Sequence, residues 1–352
     1  MNKLSILGTV GVPACYGGFE TLVENLLDDV TSNEVPDKKI TVYCSSKSYK
    51  EQPKHYKNAN LRYIPLNANG VQSIPYDIIS LIHAAIIKRA DNILLLGVSG
   101  AICLPLIKAF SSTKIVTNID GLEWRRSKWG SLTKRFLKFS EKIAVKFSDK
   151  VIADNQAIAD YVTQEYGVSA EVIAYGGDHA LTADIPLSDE NYALALCRIE
   201  PENNVEMILE SFSHTNKPLK FIGNWDNSDF GRRMKAKYQN IKNIDIIAPI
   251  YDLSALFEIR KSCSFYVHGH SAGGTNPSLV EMMHFNKTVI AFDCNYNRAS
   301  TENVASYFSN TEELTHHINV SSDINNAQSM LEIAQRRYTW EIVKQQYFSL
   351  FN

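Results

Sequence analysis

At 352 residues the chain is long for one domain and comfortable for two. An apolar content of 45% and a charged content of 21% are those of a soluble globular protein and exclude a low-complexity chain. A net charge of −2 gives no overall pull toward nucleic acid, so any basic site must be local and no nucleic-acid partner is expected. Cys15, Cys44, Cys103, Cys197, Cys263 and Cys294 show no CxxC pair and no histidine at metal-ligand spacing, which fits buried thiols in a reducing compartment.

The chain enters an apolar strand at Leu4–Leu7, so no signal peptide is expected. A glycine-bearing loop, Gly8 to Gly18, follows, and Phe19, Leu22, Val23, Leu26 and Val30 then recur at helical spacing. This unit lacks the GxGxxG spacing of a dinucleotide site, because the next glycine after Gly8 and Gly11 is Gly17. Strands are predicted at Ile40–Cys44, Leu61–Ile64, Ile93–Leu96, Lys114–Asn118, Val151–Asp154 and Glu171–Ala174, with helical patterns between several of them, such as Ile78–Arg89. The longest apolar runs, near Leu94–Leu106, contain Gly and Ser and are too short to span a bilayer. Strands alternating with helices predict a parallel sheet covered on both faces.

The pattern then restarts, with strands predicted at Tyr192–Leu196, Leu219–Ile222, Ile244–Ile247, Phe265–Val267, Val289–Phe292 and Ala305–Phe308. Two doubly wound α/β sheets are indicated, with a linker in Gly176–Asp189. Their strand ends would face a cleft, onto which the loops near Gly17 and Gly273 open. The fullest signal is His268-Gly-His-Ser-Ala-Gly-Gly-Thr-Asn-Pro-Ser-Leu-Val-Glu281, which reads as strand, glycine loop and helix start. Asn276 suits the N-cap and Pro277 the first helical position, while Gly273 and Gly274 let the backbone approach a ligand. Free N–H groups there favour an anion, and Glu281 one turn on suits sugar hydroxyls, so a nucleoside diphosphate with its ribose on Glu281 is the candidate ligand. A glycine-bearing turn with a surface Glu is the plain alternative.

Four stretches, in this order, resemble a known family: Gly8-Thr-Val-Gly-Val-Pro-Ala-Cys-Tyr-Gly-Gly-Phe-Glu-Thr21, Asn118-Ile-Asp-Gly-Leu-Glu-Trp-Arg-Arg-Ser-Lys-Trp129, Arg198-Ile-Glu-Pro-Glu-Asn-Asn204 and Gly269 to Glu281. The family is glycosyltransferase family 4, of the GT-B fold, and within it the bacterial rhamnosyltransferase branch. The resemblance runs from about Leu4 to Trp340. It implies two Rossmann-like domains facing a cleft. Residues 1–176 would form an acceptor-side domain, with a C-terminal helix at 338–352 packing back on it, and residues 177–337 a donor-binding domain. It further implies sugar transfer with retention, without a metal or other cofactor, from a nucleotide-sugar donor, here dTDP-rhamnose, to a lipid-linked saccharide acceptor. UDP- and GDP-sugars stay open as donors. Glu281 then matches the second Glu of a Glu-x7-Glu motif and holds the ribose, while the first Glu falls on Gly273 and is absent. Arg198 matches the residue that binds the diphosphate. The lysine usual a few residues later is replaced near Asn203, which leaves the backbone of Gly274, Thr275 and Asn276 to share the charge. A nucleotide-sugar epimerase and a non-catalytic nucleotide-sugar-binding partner are the alternative readings.

In the first domain Asp120 is the candidate catalytic group, accepting the acceptor hydroxyl's proton or steering the acceptor, with a turn Asp bonding its own backbone as the plain alternative. Gly17, Gly18, Glu123 and Trp124 are the acceptor and cleft residues; Trp124 is either a stacking surface for a sugar or a half-buried aromatic. In the second domain His270 is expected on the donor sugar or phosphate and His268 in a structural role, and no metal is expected because no third ligand is evident. Asn224 and Trp225 are expected to line the nucleotide pocket, and His179 reads as a hinge or surface residue.

From Trp124 to Lys150 nine basic residues stand against two acidic ones, a local +7. Leu132, Phe136, Phe139, Ile143 and Phe147 recur there at helical spacing, a stripe that would pack on the sheet and turn the lysines outward. An anionic membrane surface is therefore an expected partner through 125–150, with the protein peripheral on the inner face of the plasma membrane.

Overall fold

The computed structural model describes residues 2–15, 17–28, 38–125, 130–183 and 190–351. Val30 of the expected first helix, Arg126 and Lys128 of the basic segment, and residues 184–189 of the expected linker lie outside the described residues. The chain divides into two compact units, residues 1–173 with 344–352 and residues 174–343.

The first unit is built on β1 (Asn2–Leu7), β2 (Lys38–Ser45), β3 (His55–Tyr56), β4 (Ala59–Ile64), β5 (Asn92–Leu96), β6 (Lys114–Asn118), β7 (Lys150–Ala153) and β8 (Glu171–Val172). They pair in the order β3-β4-β2-β1-β5-β6-β7-β8, parallel throughout except for the β3–β4 edge. All five residues of β5 are buried, which is why this strand reads as an unbroken apolar run rather than an alternation. Residues Lys344–Asn352 belong to this unit, where Asn118 Nδ2 donates to the buried Tyr347 hydroxyl at 2.7 Å.

The second unit is built on β9 (Ala193–Leu196), β10 (Leu219–Ile222), β11 (Ile244–Ile247), β12 (Phe265–His268), β13 (Thr288–Phe292) and β14 (Ser306–Phe308). Its order is β11-β10-β9-β12-β13-β14, all parallel. Phe212, Phe221, Trp225, Phe265 and Phe308 are among the large side chains that fill one side of this sheet. Trp225 belongs to that core and not to a ligand pocket: it is 2% exposed, its indole N–H donates to Ile247 O, and Phe221 meets it edge-on.

In a doubly wound sheet the strand order reverses at one point, and the loops leaving the two strands there part and open a crevice. The reversal lies between β1 and β5 in the first sheet and between β9 and β12 in the second. The loops leaving β1, β9 and β12 carry the glycine and basic motifs.

Two helices of the first unit differ from expectation. Gly70–Ile87 is continuously helical, 18 residues of mean hydropathy 1.3, and by length and composition alone could cross a membrane. It buries Tyr76, Asp77, Ser80 and Leu81 and packs on β1 and β4, as a sheet-covering helix does. The helix Ser131–Phe147 forms where its periodicity predicts, but the expected stripe is not its buried face. Leu137, Ser140, Glu141, Ala144 and Val145 are buried, and Leu132 and Phe139 are exposed. Glu141 can be buried because Trp124 Nε1 and the hydroxyls of Tyr161 and Tyr166 all donate to it, at 3.0, 2.7 and 2.6 Å.

Candidate active site

The loop after β12 closes on a helix, Pro277–Met283, with Pro277 at its first position and Asn276 as N-cap, its side chain accepting from Ser278 N at 3.0 Å. Thr275 is buried behind this turn. Gly273 has φ of 119°, and a Cβ there would stand 3.1 Å from His270 Nε2. The backbone at the place of the missing Glu is thus one that glycine adopts without strain and a larger residue does not.

The loop after β9 is stitched to this one. Asn203 is buried; its Nδ2 donates to Arg198 O at 2.7 Å and its Oδ1 accepts from His270 Nδ1 at 2.8 Å. Ser271 N and its hydroxyl both donate to Glu202 O, and Asn204 Nδ2 donates to Gly269 O. A Cβ on Gly269 would lie 2.2 Å from Asn203 O, so the two loops meet at van der Waals limits. The Arg198 carbonyl, Asn203 and His270 are brought together, and among the described residues the Arg198 side chain, 61% exposed, is paired with Glu200 at 3.9 Å. Asn224 is exposed just beyond β10, and Gly274 is buried.

Glu281 is the most constrained polar group here. Arg260, 3% exposed on the helix Leu253–Ser262, donates Nη2 to Glu281 Oε2, and His179 Nε2 lies 3.5 Å from Oε1. Burial pushes the Glu281 carboxyl up, but the Arg260 charge, with His179, outweighs it and holds the group below the usual carboxylate range. His179 is no surface residue: it is half-buried, with its ring 5.8 Å from that of Trp340. Gly176 and Gly177 make this contact possible, since a Cβ on either would enter the Trp340 ring or the backbone at Val280–Glu281. His268 is buried beside Tyr266, 3.2 Å from its hydroxyl, and burial together with the neighbouring His270 pushes its pKa well below the usual histidine range, so the ring is neutral.

In the first unit Gly17 caps the helix Gly18–Leu26 and Gly18 begins it. The preceding loop turns two of its amides to carboxylates of the helix that follows it. Glu20 accepts from Val10 N at 2.7 Å and from the Thr9 hydroxyl at 2.8 Å, and Glu24 accepts from Ala14 N at 2.8 Å. Gly8, at φ of 85°, is pressed so close to β5 that a Cβ would be 1.9 Å from Leu96 O. Asp120 follows β6 with φ of 62° and donates its N–H to Asn118 Oδ1 at 2.9 Å. Trp124 is half-buried, tied to Glu141, with Lys138 Nζ 4.6 Å and Arg125 Cζ 5.1 Å from its ring centre. That is the environment of a packed aromatic, the plainer of its two readings. The Glu123 side chain lies outside the described residues.

Residues 1–178 match the family described as a domain of unknown function (DUF1972). The chain belongs to that family. A search of the curated proteins finds no match. Solved structures similar to this DUF1972 chain include sucrose-phosphate synthase from Thermosynechococcus elongatus, at 12% identity and TM-score 0.78 over 100% of this chain and 98% of that one. A glycosyltransferase from Rickettsia africae gives 13% identity and TM-score 0.71 over 99% and 97% of the two chains. HepE of Anabaena in complex with UDP gives 14% and 0.71 over 100% and 99%. At these identities the likeness is one of fold, and the fold is GT-B.

The DUF1972 match contains the first glycine loop, Asp120 and Trp124; Arg198, His270 and Glu281 lie beyond it. Four side chains that shape these loops and Glu281 escaped the sequence. Arg260 sits with Lys261 in the last turn of its helix, where cations commonly answer the helix dipole, so it reads as surface. Asn203 registers only as a missing lysine. Glu20 and Glu24 sit one turn apart, and nothing in that spacing says that both turn back to the loop before them.

Proposed function

We infer that this chain is a retaining glycosyltransferase that moves a hexose, rhamnose in our reading, from a nucleoside-diphosphate donor to a lipid-linked saccharide in surface-polysaccharide synthesis. It would work at the cytoplasmic face of the membrane. One observation carries the reading: Glu281 is an ionised, mostly buried carboxylate held by Arg260 and His179, within the unit whose switch point lies between β9 and β12. Such a group accepts from the vicinal hydroxyls of a ribose. Arg198, tied only weakly to Glu200, supplies a cation for the diphosphate. The complexes of HepE with UDP and with UDP-glucose support a nucleotide-sugar donor, and the likeness to WaaB, a lipopolysaccharide outer core galactosyltransferase, supports a surface-saccharide product. The choice of dTDP-rhamnose rests on the resemblance to the rhamnosyltransferase branch.

In the transfer, the bond between the anomeric carbon and the diphosphate oxygen breaks, and its electron pair leaves with the phosphate. The acceptor oxygen bonds the same face of that carbon and gives its proton to Asp120. Arg198 and loop N–H groups take the phosphate charge, with no metal assigned to it.

The test is turnover by the purified full chain with dTDP-rhamnose, UDP-glucose and GDP-mannose, each with a lipid-linked saccharide and with or without EDTA. A hexosyl mass gain on the acceptor and free nucleoside diphosphate, unaffected by EDTA, are expected. Conversion of the donor alone would make the protein an epimerase. Donor binding without turnover would make it a binding partner, the second reading, which Gly273 in place of the first motif Glu favours. Activity that EDTA abolishes and magnesium restores would overturn the metal-free assignment.

A further inference from the structure

The helical stretches Ser73–Ile87, Leu104–Phe110 and Ser131–Phe147 pack side by side in the first unit. They carry the chain from β4 to β5, β5 to β6 and β6 to β7, three successive crossovers in one direction along the sheet. Right-handed crossovers place all three on the same face. The outer side of this layer is apolar where a water-facing layer would be polar. Ile79, Leu106 and Phe139, each near the middle of its stretch, and Ile87, Phe110 and Leu132 are 45% to 78% exposed. The inner side holds the acids: Asp77 and Glu141, the only carboxylates in these three stretches, are 3% and 1% exposed. Charge turned outward from the three stretches is therefore positive, from Arg135, Lys142 and Lys146, joined by Lys88 and Arg89 directly after the first.

We propose that this face seats on a bilayer rich in anionic lipid, its apolar side chains entering the headgroup boundary and its basic ones meeting lipid phosphates. Charge complementarity selects this occupant. A second copy seated symmetrically on the same patch would set like charges against each other. Apolar side chains on an outward helix face, flanked by Lys and Arg, are what an interfacial membrane surface requires. The inference deepens the proposed use of a lipid-linked acceptor, but its test needs neither donor nor acceptor.

The experiment is co-sedimentation of the full chain with vesicles of phosphatidylcholine alone or mixed with phosphatidylglycerol, at low and high salt. Wild type should bind the anionic vesicles, and salt should weaken this without abolishing it, because only the charge part is screened. The variant Leu106→Gln, Phe110→Gln, Phe139→Gln should lose about a hundredfold in binding at either salt concentration. The variant Arg135→Gln, Lys142→Gln, Lys146→Gln should keep only the residual binding to neutral vesicles. These positions are exposed, and unchanged melting temperatures confirm folding. Equal, negligible binding to both vesicle types overturns the proposal and leaves the transferase reading standing. So does a concentration-dependent dimer that the apolar variant dissolves, which would make the face a contact between copies.

Discussion

Trp340 Nε1 donates to His179 Nδ1 at 2.9 Å. An indole can only donate, so Nδ1 must be an acceptor and the neutral ring carries its proton on Nε2, the nitrogen facing Glu281 at 3.5 Å. Trp340 therefore sets the tautomer that presents an N–H to the proposed ribose ligand. Trp340→Phe keeps the ring packing and removes the donor. It should weaken nucleoside-diphosphate binding about two- to tenfold, the worth of one neutral hydrogen bond. His179→Ala should cost the same or somewhat more, and the double variant no more than His179→Ala alone, because the residues act in series. Calorimetric titration of the three variants checks this, and additive losses would break the series.

The Arg260–Glu281 pair changes how Glu281 should be tested. Removing one partner of a buried pair strands the other charge and costs about 3–5 kcal/mol of stability. Glu281→Ala could thus lose binding by unfolding. Glu281→Gln leaves the Arg260 charge uncompensated too, but keeps the shape and an oxygen that accepts from Arg260, so it should lose less stability and remain folded, with nucleotide affinity down about ten- to a hundredfold. The pH dependence has a definite sign. The folded carboxyl sits below its ordinary value of 4.5, so the pair's stabilisation is present above that pH and lost as pH falls through the folded value. The stability difference between wild type and Arg260→Met should be largest at pH 8 and shrink as the solution is made acid, first because the carboxyl stranded by the variant takes up a proton and then because the wild-type pair itself is protonated. Urea midpoints across that range measure it, and a gap that widens in acid would reverse the assignment.

Regular structure was legible where local pattern decides it. Lys114–Asn118, Leu219–Ile222 and Ile244–Ile247 form strands with the expected ends, because buried parallel strands are apolar runs bounded by turn residues. His55–Tyr56, a two-residue edge pairing, leaves no such mark. The site was half legible. Asn276 and Pro277 act through neighbours in sequence. Arg260 and His179 reach Glu281 across separations of 21 and 102 positions, which one sequence does not display. The outward apolar stripe of Ser131–Phe147 was misplaced for the same reason. A Glu on the buried face looks wrong until Trp124, Tyr161 and Tyr166 are seen converging on it.

Asp77 gives a second pH dependence, of opposite sense. Burial pushes its carboxyl from 3.8 to about 7, with the hydrogen bond from the Ser99 hydroxyl pulling back only in part. Between those values the folded chain keeps a proton that the unfolded chain has lost, so stability falls by a few kcal/mol as pH rises through that window. Asp77→Asn keeps an acceptor for Ser99 and cannot ionise. It should match wild type near pH 4 and exceed it at pH 8, as read from urea midpoints. A difference that does not change with pH would mean the carboxyl is already ionised, or already neutral, throughout.

Asp120 is where strain separates two roles. A non-glycine residue in the left-handed region costs about 1–2 kcal/mol, and Asp120 has φ of 62° with Gly121 beside it. If the turn alone mattered, glycine would serve better, so Asp120→Gly should leave stability unchanged or slightly raised. Asp120→Asn tolerates the same backbone and loses only the charge. Both variants should keep nucleotide affinity, because Arg198 and Glu281 belong to the other unit. Both should lose turnover by about 10²–10⁴-fold if the carboxylate takes the acceptor's proton. A stable Asp120→Gly protein turning over at the wild-type rate would reduce Asp120 to a turn residue. Loss of nucleotide binding in Asp120→Asn, with folding intact, would move the residue from the acceptor to the donor.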